Sequence, residues 1–225
     1  MKKFKAIFFD MDGIIIDSEI YWEKIEKEYA RSRGIKYTAA YHRRIMALSQ
    51  EELAKVLRSK YNLQESVNQI IAERDKIALE IYKKKAKLLP GFLSLIKKIK
   101  GNYKIALVTS SPFEWINPIL RRFKLRSFFG EIISAQEIHN FQGKPHPAIY
   151  LSAAKRLKIS PSDCLVFEDS INGVKAAKAA GMYCVAVPGK WVRDRRGLGE
   201  ADLVVKSLKD KRILKLCTPP LFMKN

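Results

Sequence analysis

Residues 5–19 read KAIFFDMDGIIIDSE. Four apolar residues, Ala6 to Phe9, are followed at once by two carboxylates, Asp10 and Asp12, and then by Gly13. A short apolar run closed by polar residues is the pattern of a strand buried on both faces, as in a parallel sheet. The two acids then sit at its carboxyl end, and Gly13 lets the chain turn there. Similar runs recur outward from this one, at Ile105 to Val108, Ile132 to Ile133, Leu165 to Phe167, Val185 to Val187 and Leu203 to Val205. Helical patterns lie between them. Phe92, Leu95, Ile96 and Ile99 form one apolar stripe, framed by Pro90 and Gly101. The alternation predicts an α/β fold, a doubly wound parallel sheet whose ligands bind beyond the carboxyl ends of the strands.

One stretch departs from the alternation. From about Ile20 to Ala86 no strand pattern occurs, while helical stripes such as Val67, Ile70, Ile71, Ala78 and Ile81 do. The expected organisation is a core of residues 1–16 and 87–217, an inserted α-helical domain of residues 17–86, and a tail of residues 218–225 in which Pro219 and Pro220 end regular structure.

Composition narrows the function classes. The 225 residues carry 43 Lys and Arg against 23 Asp and Glu, a formal net charge of +20. Such charge suits nucleic acids or anionic substrates. The basic residues are spread over several helices without interleaved aromatics or a DNA-binding motif, so they read as a lysine-rich solvated surface, with no specific nucleic-acid partner expected. Cys164, Cys184 and Cys217 lack metal-ligand spacing, and two of them fall in strand-like runs, the pattern of free thiols in a reducing compartment. The N-terminal apolar stretch is too short for a secretory signal and no run approaches a membrane span. The expectation is a soluble, cytoplasmic monomer.

Three further segments join the first acids at strand ends or helix starts: ALVTSS with Thr109 and Ser110, GKPHPAIY with Lys144, and LVFEDSINGVKAAKAAG with Glu168 and Asp169. Together they form a complete set for phosphoryl transfer. A carboxylate nucleophile, Asp10, divides one hard hydrolysis into two easier steps through an acyl phosphate. Asp12 can protonate the leaving alcohol and then deprotonate the attacking water. Phosphate beside carboxylates calls for Mg²⁺, a hard cation that prefers oxygen ligands. Asp10, Asp169 and the backbone carbonyl of Asp12 are the expected ligands, with Glu168 helping through water. Lys144 and Thr109, with Ser110 as a lesser contact, can neutralise and position the phosphoryl oxygens. His139 and His146, without partners at ligand spacing, read as structural or exposed.

FDMDGIIIDSE, LVTSS, GKPHP and FEDSINGVKAAKAAGM resemble the four motifs of the haloacid dehalogenase superfamily, and more narrowly its beta-phosphoglucomutase and sugar-phosphatase branch. The resemblance spans most of the chain. It implies a Rossmann-like core, a helical cap that opens for the substrate and closes for chemistry, and the residue roles just described. In the cap, YHRRIMALSQEEL resembles the family's substrate-specificity loop, with Met46, Ala47, Leu48, Ser49 and Gln50 facing the site and Arg43 and Arg44 placed to grip an anion. Relatives often carry glycine where this chain has Ala47. The mutases of this branch carry a histidine at the position matching Trp22, where it helps suppress hydrolysis. Tryptophan has no titrating nitrogen. The preferred reading is therefore a Mg²⁺-dependent phosphatase acting on a small phosphorylated substrate, a sugar phosphate first. A phosphosugar mutase is the alternative, and a non-catalytic module binding nucleic acid or an acidic partner is the alternative of another class.

Overall fold

The computed structural model describes residues 3–38, 50–139, 143–190, 192 and 196–217. Six parallel strands form one sheet: β1 (Ala6–Phe9), β2 (Lys104–Thr109), β3 (Glu131–Ser134), β4 (Cys164–Glu168), β5 (Tyr183–Ala186) and β6 (Leu203–Val204). Their order is β3-β2-β1-β4-β5-β6. The chain leaves β1, builds outward through β2 and β3, then returns to β4 on the other side. The direction of winding therefore reverses beside β1, and a crevice opens where connections diverge at the carboxyl ends. The predicted α/β sheet is present, with each apolar run of the sequence in its own strand.

Successive strand residues point to opposite faces, so an all-apolar strand needs cover on both. On one face Ile7, Phe9, Leu107, Phe167 and Val185 meet α4 (Phe92–Ile99), α5 (Phe113–Arg122) and α8 (Lys211–Leu216). On the other, Ala6, Phe8, Val108, Val166 and Cys184 meet α6 (Ala148–Leu157) and α7 (Ile171–Ala179). Phe9 stacks on Phe167 at 4.9 Å and meets the edge of Phe92 at 5.5 Å. Truncating a ring so enclosed costs about 3–5 kcal/mol. Helix α4 buries the predicted stripe of Phe92, Leu95, Ile96 and Ile99. All three cysteines are buried thiols, and no described helix is long and apolar enough to cross a membrane.

Between β1 and α4 the described residues hold helices only: α1 (Glu19–Ser32), α2 (Gln50–Lys60), α3 (Val67–Glu80) and a single wide π-helical turn, Ile81–Lys85. A capping box between Ser66 and Gln69 starts α3. Tyr29, Ala30, Leu53, Ala54, Leu57 and Ile70 make a small apolar centre of their own. Arg74 also lies on the inward face of α3, where the sequence pattern showed only apolar positions. It is held by Glu26 at 2.6 Å, both side chains being nearly inaccessible. A buried charge is tolerated only with such a partner. The expected tail and the loop carrying Arg43, Arg44, Met46, Ala47, Leu48 and Ser49 lie outside the described residues.

Candidate active site

Asp10 directly follows β1, Thr109 ends β2, Glu168 ends β4 and Asp169 follows it. Lys144 precedes α6 and reaches across to both neighbours. Its ammonium donates to Asp10 Oδ1 at 2.7 Å and to Glu168 Oε1 at 2.5 Å. Segments 134 residues apart in the chain thus meet in one hydrogen bond. Carboxylate oxygens of Asp10, Glu168 and Asp169 lie within 4.8 Å of one another, all three residues being buried.

Gly13 explains how Asp169 comes so close. Its φ of +81° is a left-handed value, and a Cβ there would stand 2.1 Å from Asp169 Oδ2. Gly173 plays the matching part for Glu168, whose carboxyl carbon would lie 1.9 Å from an added Cβ. Only glycine permits these approaches.

Glu168 is heavily engaged. Besides Lys144 it accepts from Tyr150 Oη at 2.6 Å, from Ser170 Oγ, and from the backbone N–H groups of Asp169 and Ser170. Burial opposes its charge, but Lys144 and these donors outweigh burial and hold its pKa below the ordinary glutamate value. Lys144 is raised above an ordinary lysine: burial works against its charge, and Asp10 and Glu168 more than compensate. Asp10 goes the other way. Burial pushes its carboxyl well up, Lys144 pulls it down, and Glu168, Asp169 and Asp12 push it up again. The arrangement holds more negative charge than one ammonium neutralises.

Asp12 is gripped by three hydroxyls. Ser18 Oγ and Tyr82 Oη, the latter at 2.9 Å, donate to Oδ1, and Ser111 Oγ donates to Oδ2 at 2.8 Å. Burial raises its pKa, and the three donors restrain that rise. Thr109 Oγ1 accepts the Ser111 N–H at 3.1 Å, whereas Ser110 is exposed. Trp22 is buried beside Asp12's support and donates its indole N–H to Tyr82 Oη at 3.1 Å. Glu19, partly exposed at the start of α1, is pushed up to about 8 by shielding from water and then by the charges of Asp12 and Asp10. His139 and His146 are exposed.

The sequence reading passed over Ser18, Glu19, Tyr82, Ser111 and Tyr150. Ser18 and Glu19 stand inside the first motif, and Ser111 is the residue after the pair singled out in TSS. Their position at a strand end was a usable signal. Tyr82 and Tyr150 offered none, since they reach Asp12 and Glu168 only through the fold.

A sequence model of haloacid dehalogenase-like hydrolases matches residues 4–181, a span containing every group just described. The chain belongs to the haloacid dehalogenase-like hydrolases. The hydrolase is 33% identical over 205 residues to the phosphorylated carbohydrates phosphatase of Thermotoga maritima, covering 89% of this chain and 92% of that protein. It is 30% identical to hexitol phosphatase B of Escherichia coli K12, covering 90% and 92%. To the beta-phosphoglucomutase of Bacillus subtilis it is 34% identical, covering 92% and 91%. The crystal structure of the Clostridium difficile beta-phosphoglucomutase superposes with a TM-score of 0.76 at 28% identity, covering 95% of this chain and 97% of that one. The hydrolase therefore sits on the phosphatase and beta-phosphoglucomutase branch of its family and is a phosphatase.

Its three clustered carboxylates fit Mg²⁺. They offer hard oxygen donors, they converge from two adjacent strand ends, and a side chain is omitted at Gly13 to let Asp169 in.

Proposed function

We propose that this hydrolase is a Mg²⁺-dependent sugar phosphatase that carries the phosphoryl group on Asp10. The observation that supports it most is the meeting of Asp10 with Lys144, Glu168 and Asp169 at the carboxyl ends of β1 and β4. A nucleophilic carboxylate, a cation and further acids stand there within reach of one phosphate. Asp10 and Asp169, with the backbone carbonyl of Asp12, would hold the ion, which supplies charge neutralisation to the phosphoryl oxygens and lets Asp10 remain ionised. Lys144 neutralises a second side of the phosphate, and Glu168 keeps Lys144 charged and aimed. Thr109 contributes its hydroxyl to the same oxygens.

Asp10 attacks phosphorus and the P–O bond to the sugar breaks. Asp12 gives its proton to the departing oxygen, and its carboxyl, which shielding from water raises above the ordinary aspartate range, suits that task. It then takes a proton from the water that cleaves the acyl phosphate and frees inorganic phosphate. We take residues 17–86 as the cap that shields this reaction. A sugar or hexitol phosphate is the favoured substrate class because two of the relatives, the phosphorylated carbohydrates phosphatase and hexitol phosphatase B, are named for such compounds. The indole of Trp22 is a donor only and is already given to Tyr82. That supports hydrolysis over the mutase reaction. A monomer in the reducing cytoplasm suits the three buried thiols.

The test is phosphate release from glucose 6-phosphate, beta-glucose 1-phosphate, sorbitol 6-phosphate and AMP, with and without Mg²⁺, using the native chain and Asp10→Asn. Release that requires Mg²⁺ and disappears in the variant is expected. Conversion of beta-glucose 1-phosphate to glucose 6-phosphate faster than phosphate release would overturn the phosphatase assignment.

A further inference from the structure

Asp12 is surrounded by a support that the reaction outlined above does not use. Tyr82 lies in the π-helical turn Ile81–Lys85 and is fully buried. Its hydroxyl stands 2.9 Å from Asp12 Oδ1 and 3.1 Å from Trp22 Nε1. An indole N–H can only donate, so the phenol oxygen must receive it on a lone pair, and the phenol proton is left for Asp12. The direction Trp22 to Tyr82 to Asp12 is thereby set by chemistry rather than by choice of rotor. The rings are braced as well. Tyr82 stacks on Trp115 at 5.5 Å, Trp115 packs on Trp22 at 5.2 Å, and Trp115 Nε1 is tied to Asp75 Oδ1 at 3.1 Å. Three aromatic side chains from α1, the π turn and α5 therefore form a rigid wall behind one carboxylate.

We propose that Tyr82 is a positioning residue for Asp12: with Trp22 behind it, the phenol holds Asp12 Oδ1 in the orientation from which Oδ2, on the Ser111 side, exchanges protons with the leaving oxygen and the attacking water. Two donors on Oδ1, Ser18 and Tyr82, against one on Oδ2 make the two oxygens unequal. This inference rests on the assignment of Asp12 as the proton carrier.

The test compares two substrates in the full chain with Mg²⁺: the sugar phosphate turned over fastest in the panel above, whose alkoxide needs a proton on leaving, and p-nitrophenyl phosphate, whose phenolate leaves unassisted. Tyr82→Phe keeps the ring and removes the hydroxyl. On the sugar phosphate its kcat/KM is expected to fall about 10- to 100-fold, and on p-nitrophenyl phosphate by about threefold or less. Trp22→Phe should give a smaller loss with the same substrate bias. The double variant should be no worse than Tyr82→Phe alone, because the indole acts through the phenol. Equal losses on both substrates, wild-type kcat/KM on both, or strictly additive single variants would each overturn the proposal. Asp12→Asn separates the two levels of inference. If it too retains wild-type kcat/KM on the sugar phosphate, the assignment of Asp12 itself falls; if it is inactive there while Tyr82→Phe is not impaired, only the role of Tyr82 falls.

Discussion

Replacing Lys144 with methionine keeps most of the side chain's volume and removes its charge. In the native chain the Lys144 side chain is 10% exposed and its ammonium makes two ion pairs, at 2.7 Å with Asp10 and 2.5 Å with Glu168, whose side chains are 9% and 1% exposed. Removing one partner from a buried pair costs about 3–5 kcal/mol, because the other charge is left unpaired in a poorly solvated place. Here two carboxylates are left, with Asp169 close by, so the loss should lie near the upper end, about 5 kcal/mol. For a chain of this size that is a fall in Tm of roughly 10–20 °C.

The pH dependence carries the sharper signature. Without Lys144, Asp10 and Glu168 have folded-state pKa values above their unfolded ones, so the folded variant binds more protons than the unfolded chain. Its deficit against the native protein is then smallest in acid and grows as pH rises through the carboxylate range. Thermal unfolding of both proteins at pH 5 and pH 8 in metal-free buffer measures this. A deficit under about 2 °C at pH 8, or one equal at the two pH values, would refute the reasoning that the ammonium is what reconciles these carboxylates.

Other perturbations test neighbouring features. Gly13→Ala places a Cβ 2.1 Å from Asp169 Oδ2 at a φ of +81°; it should destabilise the chain by about 1–3 kcal/mol and weaken the rise in Tm on Mg²⁺ titration, read by calorimetry. Glu19 holds a proton in the folded state up to about 8, against an ordinary value of 4.5. Its contribution to stability is therefore present in acid and declines as pH climbs between those values. Glu19→Gln should flatten that slope in Tm measured against pH, and an unchanged slope would remove Glu19 from the charge cluster.

Much of this molecule can be read without coordinates. A parallel sheet leaves long apolar strands and puts polar chemistry at their carboxyl ends, so Asp10, Asp12, Thr109, Lys144, Glu168 and Asp169 announce themselves by local context, and order along the chain carries the rest. The helical stripes around the sheet were equally local, because a 3.6-residue period depends only on near neighbours. Arg74 breaks one such stripe, and its acceptability depends on Glu26, two helices away.

What tertiary structure decided is which atoms touch. The sequence placed Glu168 in the acidic cluster; the fold adds that its oxygens also accept from Lys144, Tyr150 and Ser170. Trp22 stood in the sequence as the position that separates phosphatase from mutase, and the fold sets it behind Tyr82 and Asp12. No pattern in the chain joins residues 12, 22 and 82, because a hydrogen bond depends on distances of a few tenths of an ångström between side chains that only packing brings together. Periodicity and motif order determined the sheet and the groups proposed to react. The partners that hold those groups in place were determined by the three-dimensional approach of distant segments.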